Sequence, residues 1–227
     1  MLKNWNELPE YMRTDEVRPY YDLLQRKKLS LFFKRVFDIV VSLIMIILCS
    51  PILLIISILI VKDSKGGVFY RQERVTQYGR VFRIFKFRTM VQNADQIGTQ
   101  VTISNDSRIT NVGSKLRNCR LDELPQLFNI FLGDMTFVGT RPESVHYVKS
   151  YTDEMYATLL LPAGVTSEAS IEYKDEADLL DQADDVDSVY INEVLPEKMK
   201  YNLNSIKEFS FFKEIATMFR TVLAVLR

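Results

Sequence analysis

Between Val36 and Val61 the chain reads VFDIVVSLIMIILCSPILLIISILIV, an apolar run in which Asp38 is the one charged side chain. At about 1.5 Å per residue, a helix over it is roughly 39 Å long, more than the ~30 Å hydrocarbon core of a bilayer. The pattern predicts a membrane helix. It starts too deep in the chain, and is followed by too much basic sequence, to be a cleaved signal peptide. Arg26, Lys27, Lys28, Lys34 and Arg35 precede it, and Lys62, Lys65, Arg71, Arg74, Arg80, Arg83, Lys86 and Arg88 follow. Under the positive-inside rule both ends belong on the cytoplasmic side. Midway, Pro51 removes a backbone donor and crowds the preceding turn, so the run bends or breaks at Ser50-Pro51. A re-entrant helix satisfies both features. An anchor with a tolerated proline kink is the other reading, and the two basic flanks favour the first.

Beyond the run, GGVFYRQERVTQYGRVFRIFKFRTM alternates apolar and polar positions through Val81, Phe82, Ile84, Phe85 and Phe87. That predicts a strand or hairpin turning near Tyr78-Gly79. SKLRNCRLDELPQLFNIFLGDM carries a helical period through Leu116, Leu121, Leu124, Leu127 and Phe128. Pro125 fits the first turn of a new helix, with Leu121 or Asp122 near its N-cap, which puts Asp122 and Glu123 at a helix N-terminus. In SIKEFSFFKEIATMFRTVLAVLR, the residues Ile206, Phe209, Ile215, Met218, Phe219, Val222 and Leu226 recur near helical spacing. An interfacial amphipathic helix and a helix packed on the core share that pattern. The opening WNELPEYMRTDEVRPYYDLLQRKK, with Pro9 and Pro19, reads as a short helical arm. The expected organisation is an arm over 1–33, a membrane helix over 34–62 and a catalytic domain over 63–227 ending in the amphipathic helix. The fold class is α+β, mainly α.

Composition sharpens this. With 227 residues, 47% hydrophobic, the chain suits one compact domain with an appendage and excludes a disordered or fibrous protein. The zero net charge hides an asymmetry, +10 over Met1–Arg120 against −10 over Leu121–Arg227. Basic residues that flank an apolar run, instead of interleaving with exposed aromatics, argue against nucleic acid and for anionic lipid or a phosphorylated ligand. Cys49 and Cys119 are the two cysteines, so there is no disulfide framework or zinc spacing, as suits a reducing compartment. The single histidine, His146, removes any site built from two, and acid–base chemistry falls mainly to carboxylates.

Adjacent Asp122 and Glu123 alone read as helix-capping acids. Their neighbours change the weighting: Arg117 and Arg120 come just before, then Gly133-Asp134, Gly139 and Arg141-Pro142. Arginines with a glycine-rich backbone suit phosphate recognition, and no Walker lysine loop or Rossmann glycine fingerprint is present.

Taken in order, KRVFDIVVSLIMIILCSPILL, GGVFYRQERV, FRIFKFRTM, LRNCRLDELPQLFNIFLGDMTFVGTRPE and FSFFKEIATMFRTVLAVL resemble the bacterial sugar transferases. These are the monotopic polyprenyl-phosphate phosphoglycosyl transferases, here in their small single-unit form, and the resemblance runs from about Lys34 to the C-terminus. It implies that Ser50-Pro51 is the family's helix break and that Asp122-Glu123 is the catalytic dyad. Asp122 would attack the β-phosphorus of a UDP-sugar, release UMP, and pass the phospho-sugar to polyprenyl (undecaprenyl) phosphate. Mg2+ is the implied cofactor, with Asp122 and Glu123 as ligands. Lys86 and Arg117 match basic positions near the phosphates, and Arg88, Arg120 and Arg141 are further candidates of that type. Arg88 and Arg120 equally suit surface or lipid contacts. Asp134 and Asp106-Ser107-Arg108 read as turn, cap or ion-pair elements, and His146 as structural. Cys119 adjoins the dyad without a mark of reactivity.

The resemblance further implies the cytoplasmic face of a bacterial inner membrane and contact with phospholipids, and leaves room for a homodimer. The competing class is a catalytically silent, membrane-attached scaffold or lipid-binding protein. Two departures bear on the donor. Gly139-Thr140-Arg141-Pro142 stands where the family often has Gly-Pro-Arg-Pro. LPAGVTSEASIEYKDEADLL replaces a proline-glycine stretch with a tryptophan and a terminal arginine; Pro162, Gly164 and Thr166 keep the outline, Lys174 is a stand-in for the arginine, and the acidic residues up to Asp187 read as a solvated helix or loop.

Overall fold

A computed structural model describes residues 2–94, 106–173 and 185–225. The described chain is mainly helical, with a small antiparallel sheet and one long apolar helix. Two short 3-10 turns, Trp5–Glu7 and Glu10–Met12, lead into α1 (Arg18–Arg26), whose first turn carries Pro19. The apolar run lies in α2 (Lys28–Asp63).

The expected interruption at Ser50-Pro51 does not end α2. Pro51 has no N–H for the Ile47 carbonyl four residues back, and the Ser50 hydroxyl donates to that same oxygen at 2.8 Å, so the orphaned acceptor is satisfied and the helix continues. Its most apolar eighteen-residue stretch is 11% buried, unlike the core helix of a water-soluble protein.

Both ends of α2 pack on the rest of the fold. Near its start, Lys34 Nζ donates to the Val138 carbonyl at 2.8 Å and pairs with Glu214, while Asp38 accepts from Thr136 Oγ1 at 2.7 Å and Phe137 N at 3.3 Å. Near its end, Ile56 and Ile60 pack with Phe87 and Leu116, and Asp63 accepts from Val112 N at 3.0 Å.

Strands β1 (Phe69–Val75) and β2 (Val81–Phe87) form the hairpin, antiparallel, with Tyr70 opposite Lys86. Its turn falls at Tyr78 (φ 59°) and Gly79 (φ 73°), and the left-handed backbone at Gly79 favours glycine; a Cβ there would displace the Tyr11 hydroxyl. Then come α3 (Asn111–Asn118), capped by Thr110, and α4 (Gln126–Leu132), closed by Gly133 at φ 90°. Strand β3 (Met135–Val138) pairs in parallel with β4 (Ala163–Thr166), and α5 (Val145–Val148) and a 3-10 segment (Glu154–Leu160) lie between them in sequence. The remainder is α6 (Glu168–Glu172), α7 (Val186–Val189), a π turn (Tyr190–Val194), α8 (Leu195–Lys207) and α9 (Phe211–Val225).

The largest core unites Leu8, Met12, Val17, Tyr20, Tyr21 and Leu24 of the N-terminal arm with Tyr147, Leu160, Leu195, Met199 and Ile206. The arm thus supplies core side chains. The C-terminal stripe read from the sequence is divided: Ile206 and Phe209 are buried at and after the end of α8, whereas Phe219 and Val222 of α9 are exposed. Leu226 lies outside the described residues. The polar side of α9 faces the protein: Glu214 pairs with Lys34, Thr217 donates to Glu168, Arg220 pairs with Glu168 and Glu172, and Thr221 shares a hydrogen bond with Thr166. Phe212, 80% exposed, and Leu223, 61% exposed, join Phe219 and Val222 on the outer side.

Candidate active site

The turn that carries the dyad is set by three backbone facts. Arg120 adopts the left-handed region (φ 56°, ψ 18°) and turns the chain out of α3; Leu121–Glu123 make one 3-10 turn; and Pro125, with no N–H, stands immediately before α4. The new helix expected to start near Leu121 or Asp122 starts later: the dyad lies in a separate 3-10 turn, Pro125 is the N-cap residue, and α4 begins at Gln126. The apolar period continues across the gap because Leu121 is half-buried against the cluster of Ile56, Ile60, Phe87 and Leu116.

Glu123 Oε1 accepts from Lys86 Nζ at 2.9 Å and from Arg141 Nη2 at 2.7 Å. Burial pushes this carboxyl up, but Arg141 and Lys86 outweigh it and hold Glu123 well below the usual carboxylate range. Burial likewise lowers the pKa of the Lys86 ammonium, with Glu123 opposing. Asp122 differs. Among the described residues no cation pairs with its carboxylate. Burial and then the Glu123 charge raise its pKa, and Lys86 and Arg117 offset this only in part.

Asp122 opens onto a cleft of ≈ 870 Å³, walled by β1, β2 and the residues after β2. Arg71, Arg74, Arg83, Lys86, Arg88, Arg108 and Arg117 line it, against the acidic Glu73 and Asp122. Such an excess of cations around a concave surface favours a polyanion. Arg117 donates through Nε to Thr89 Oγ1 at 3.0 Å beside Asp122. Arg141 meets the site through Glu123 and does not line the cleft.

The other sequence candidates fall less centrally. Arg88 is buried, and its terminal nitrogens donate to carbonyls at the end of α2, Ser64 at 2.8 Å and Lys65, so it closes that helix as well as lining the cleft. Arg120 is exposed and lies outside the cleft lining. Asp106 and Arg108 form an ion pair at 2.6 Å, and Asp134 accepts from Arg80 at 2.8 Å, as expected for structural elements. His146, expected to be structural, is instead exposed at the cleft rim, because α5 buries Tyr147 and turns its neighbour outward. Lys174 and the acidic residues 174–184 lie outside the described residues.

The departure at Gly139-Thr140 has a structural answer. Gly139 N donates to Thr166 O at 2.9 Å and Gly164 N to Thr140 O at 2.8 Å, so strand pairing holds the backbone that a proline would have restrained. A Cβ on Gly164 would overlap Gly139, which accounts for the retained glycine.

Sequence reasoning missed Glu143. It is buried, accepts from the Tyr190 hydroxyl at 2.6 Å, lies 3.8 Å from Lys198 Nζ, and offers its backbone carbonyl to Val75 N at 2.9 Å. Its position directly after Arg141-Pro142 was the available signal.

The match to known proteins follows this layout. The family model described as "Bacterial sugar transferase" matches residues 29–227. The chain belongs to that family. This sugar transferase family member is 37% identical over 199 residues to the UDP-N-acetylgalactosamine-undecaprenyl-phosphate N-acetylgalactosaminephosphotransferase of Aeromonas hydrophila, a match covering 86% of the chain and 44% of the relative. It is 35% identical over 200 residues to the UDP-glucose:undecaprenyl-phosphate glucose-1-phosphate transferase of Klebsiella pneumoniae, covering 86% and 40%. With the enzyme of the same description from Escherichia coli the identity is 33% over 218 residues, covering 94% and 44%. The chain thus spans less than half the length of these relatives.

Proposed function

We propose that the chain transfers a sugar 1-phosphate from a UDP-sugar to polyprenyl (undecaprenyl) phosphate and releases UMP, the initiating step of a surface glycan. The observation that carries this reading is the unequal treatment of two adjacent carboxylates: Glu123 is neutralised by Lys86 and Arg141, while Asp122 faces a basic cleft and, among the described residues, has no ion pair. An ionised carboxylate free of a covering cation is a competent nucleophile. Its oxygen forms a bond to the β-phosphorus as the bond from that phosphorus to the bridging oxygen breaks, and the electron pair leaves on UMP. An oxygen of polyprenyl phosphate then attacks the same phosphorus and breaks the bond to Asp122, which regains its charge. Lys86 and Arg117 hold the phosphates during both displacements.

Two hard-oxygen carboxylates beside a basic cleft suit Mg2+ shared between protein and substrate, and among the described residues no cluster of three ligating side chains offers an all-protein cage. Asp122 and Glu123 would hold the ion, which supplies charge neutralisation to the diphosphate.

The membrane arrangement in this reading is re-entrant. Asp38 and Asp63 lie about 37 Å apart along a straight helix, and both hydrogen-bond to the same folded unit. A helix crossing the bilayer between them would need that unit on both faces at once. A shallow bend at Ser50-Pro51, with the outer face of α9 at the headgroup level, supports both contacts from the cytoplasmic side, where a lipid phosphate meets a soluble nucleotide.

The test is nucleotide release by the full chain in detergent or nanodiscs, with undecaprenyl phosphate, Mg2+ and a panel of UDP-sugars. The expected result is UMP from at least one donor and none from Asp122→Asn. UDP as product, or undiminished turnover by the variant, would overturn the covalent reading.

A further inference from the structure

Side chains alternate along each strand of the hairpin, and the register sets Phe69 opposite Phe87 and Arg71 opposite Phe85, so these four share one face. A chain of rings runs across it. Phe87 stacks on Phe69 with centroids 5.7 Å apart, Phe69 meets Phe85 edge-on at 5.9 Å, and Phe85 meets Phe128 of α4 at 5.9 Å. Phe131 and Leu132 follow Phe128 one helical turn later, on the same side of α4. Phe87 is buried and Phe85 and Phe128 are half-buried, whereas Phe69, Phe131 and Leu132 are exposed, Leu132 by 66%.

A contiguous apolar strip of this kind marks a contact surface, and its neighbours say with what. At the Leu132 end, Arg35 of α2 donates to the carbonyls of Ile130 and Phe131 at 2.7 and 2.9 Å. The inner side of α4, Leu127 and Ile130, belongs to the cluster that takes in Phe37, Val41, Met45 and Ile46 of the apolar run. At the hairpin end, Phe87 packs with Ile56 and Ile60, farther along that run. The strip is thus fixed to α2 on both sides. A bilayer that covers the exposed α2 side chains between these contacts, Leu43, Ile47, Leu48 and Leu54 among them, extends to the strip as well.

Charge selects the same partner. The Arg71 guanidinium lies 3.4 Å over the Phe85 ring, and the one carboxylate on that face of the hairpin, Glu73, pairs with Arg83, so the surplus is positive. Arg35 adds a cation at the other end. Aromatic rings with arginines beside them suit the headgroup zone of an anionic bilayer. We propose that the strip from Phe69 to Leu132 is a further membrane-contact surface, seated in that zone, and that it fixes the distance of the dyad from the lipid. Leu132 ends the helix that Asp122 precedes, and the two are at most about 15 Å apart along the chain axis. Arg71 also lines the cleft that Asp122 faces, so the strip meets the cleft at this side chain. The inference rests on the membrane reading of α2 given above and adds to it a surface on the catalytic side of the fold.

The experiment places one tryptophan at a time in the full chain, as Leu132→Trp, Phe69→Trp and, on α2 itself, Leu48→Trp, each in a Trp5→Phe background. Wild type, whose single tryptophan is Trp5 of the N-terminal arm, is the reference. All are reconstituted in phosphatidylglycerol–phosphatidylcholine nanodiscs with plain or brominated acyl chains, bromine being a contact quencher of indole fluorescence, and Tm checks each fold. The expected result is a loss of fluorescence in brominated nanodiscs for Leu48→Trp, Leu132→Trp and Phe69→Trp, and none for Trp5. For the two strip positions the loss is greatest when bromine sits near the headgroup end of the chain. Quenching of Leu48→Trp with none at Leu132 or Phe69 would overturn the proposal and leave the membrane reading of α2 standing. If such a protein also sedimented as a dimer, a second copy would be what covers the strip. Equal quenching at every position, Trp5 included, would define no surface and overturn the proposal too. Absence of quenching for Leu48→Trp would bring down the membrane reading of α2 first, and the strip with it.

Discussion

In the cleft, Lys86 and Arg141 converge on one oxygen of Glu123. At the junction of α2, β3 and α9 the balance is reversed, and the buried Lys34 shares its surroundings with two carboxylates, Asp38 and Glu214. Two cations on one carboxylate keep Glu123 ionised and leave Asp122 beside it without an ion pair among the described residues. One cation among two carboxylates leaves Glu214 with a raised pKa, through burial first and the Asp38 charge second, against the pull of Lys34. The first cluster can accept further negative charge from outside, as a phosphate site must. The second is closed on itself and fastens the membrane helix to the C-terminal helix. The sign of the local surplus separates a binding cluster from a structural one.

The largest effect should come from the carboxylate the cleft leaves uncovered. Asp122→Asn is expected to lower UMP release by at least about a thousandfold. Because burial and Glu123 both disfavour its charge, the same change should hold or raise Tm, by about 2–4 °C for each kcal/mol relieved. Calorimetry of the two proteins beside the turnover assay checks both halves, and a lower Tm would contradict the electrostatic account of Asp122.

Next in size is the contrast between the two lysines. Lys34→Met leaves Asp38 and Glu214 facing each other without a cation, so the cost should be about 3–5 kcal/mol. Adding Glu214→Gln should recover part of it. Lys86→Met leaves Glu123 with Arg141, so stability should fall by only about 1 kcal/mol while turnover collapses. Denaturant titrations of the three variants decide the matter, and equal losses for both lysines would erase the contrast.

A smaller effect is the pH profile. Asp122 must be ionised to attack, its pKa is raised, and the rate therefore falls as pH drops through that raised value. Lys86 and Arg117 hold it down, so Arg117→Gln should move the acid limb of kcat/KM to higher pH. Glu214 acts on stability with the opposite sense: its raised pKa contributes stability that is full below its unfolded value and lost as pH rises through the folded one. Glu214→Gln should flatten that decline in a pH series of Tm values.

The smallest change probes the outer face of α9. Phe219→Ser removes one 69%-exposed aromatic that touches the proposed lipid surface, and should weaken binding to anionic vesicles several-fold in flotation while leaving Tm nearly unchanged.

What was readable from the sequence alone were the features that depend on local chemistry. The apolar run, the hairpin turn at Tyr78-Gly79 and the basic and acidic residues around Asp122 depend on composition, period and turn residues, which neighbours in sequence decide. What only the tertiary structure decided depends on partners distant along the chain. Arg88 was a candidate for the phosphates and equally for surface or lipid contacts; it lines the cleft and also closes α2, because the helix end comes to rest within its reach. The C-terminal stripe was ambiguous because period does not say which side faces the protein; Lys34, Thr166 and Glu168 draw the polar side of α9 inward, Phe211 packs on Phe37, and Phe212 and Phe219 are left outside. Charge pairing follows the same rule. Asp122 and Glu123 are indistinguishable as neighbours in a string, and they acquire different roles only when Lys86, from a strand 37 residues earlier, and Arg141, from 18 residues later, fold onto one of them.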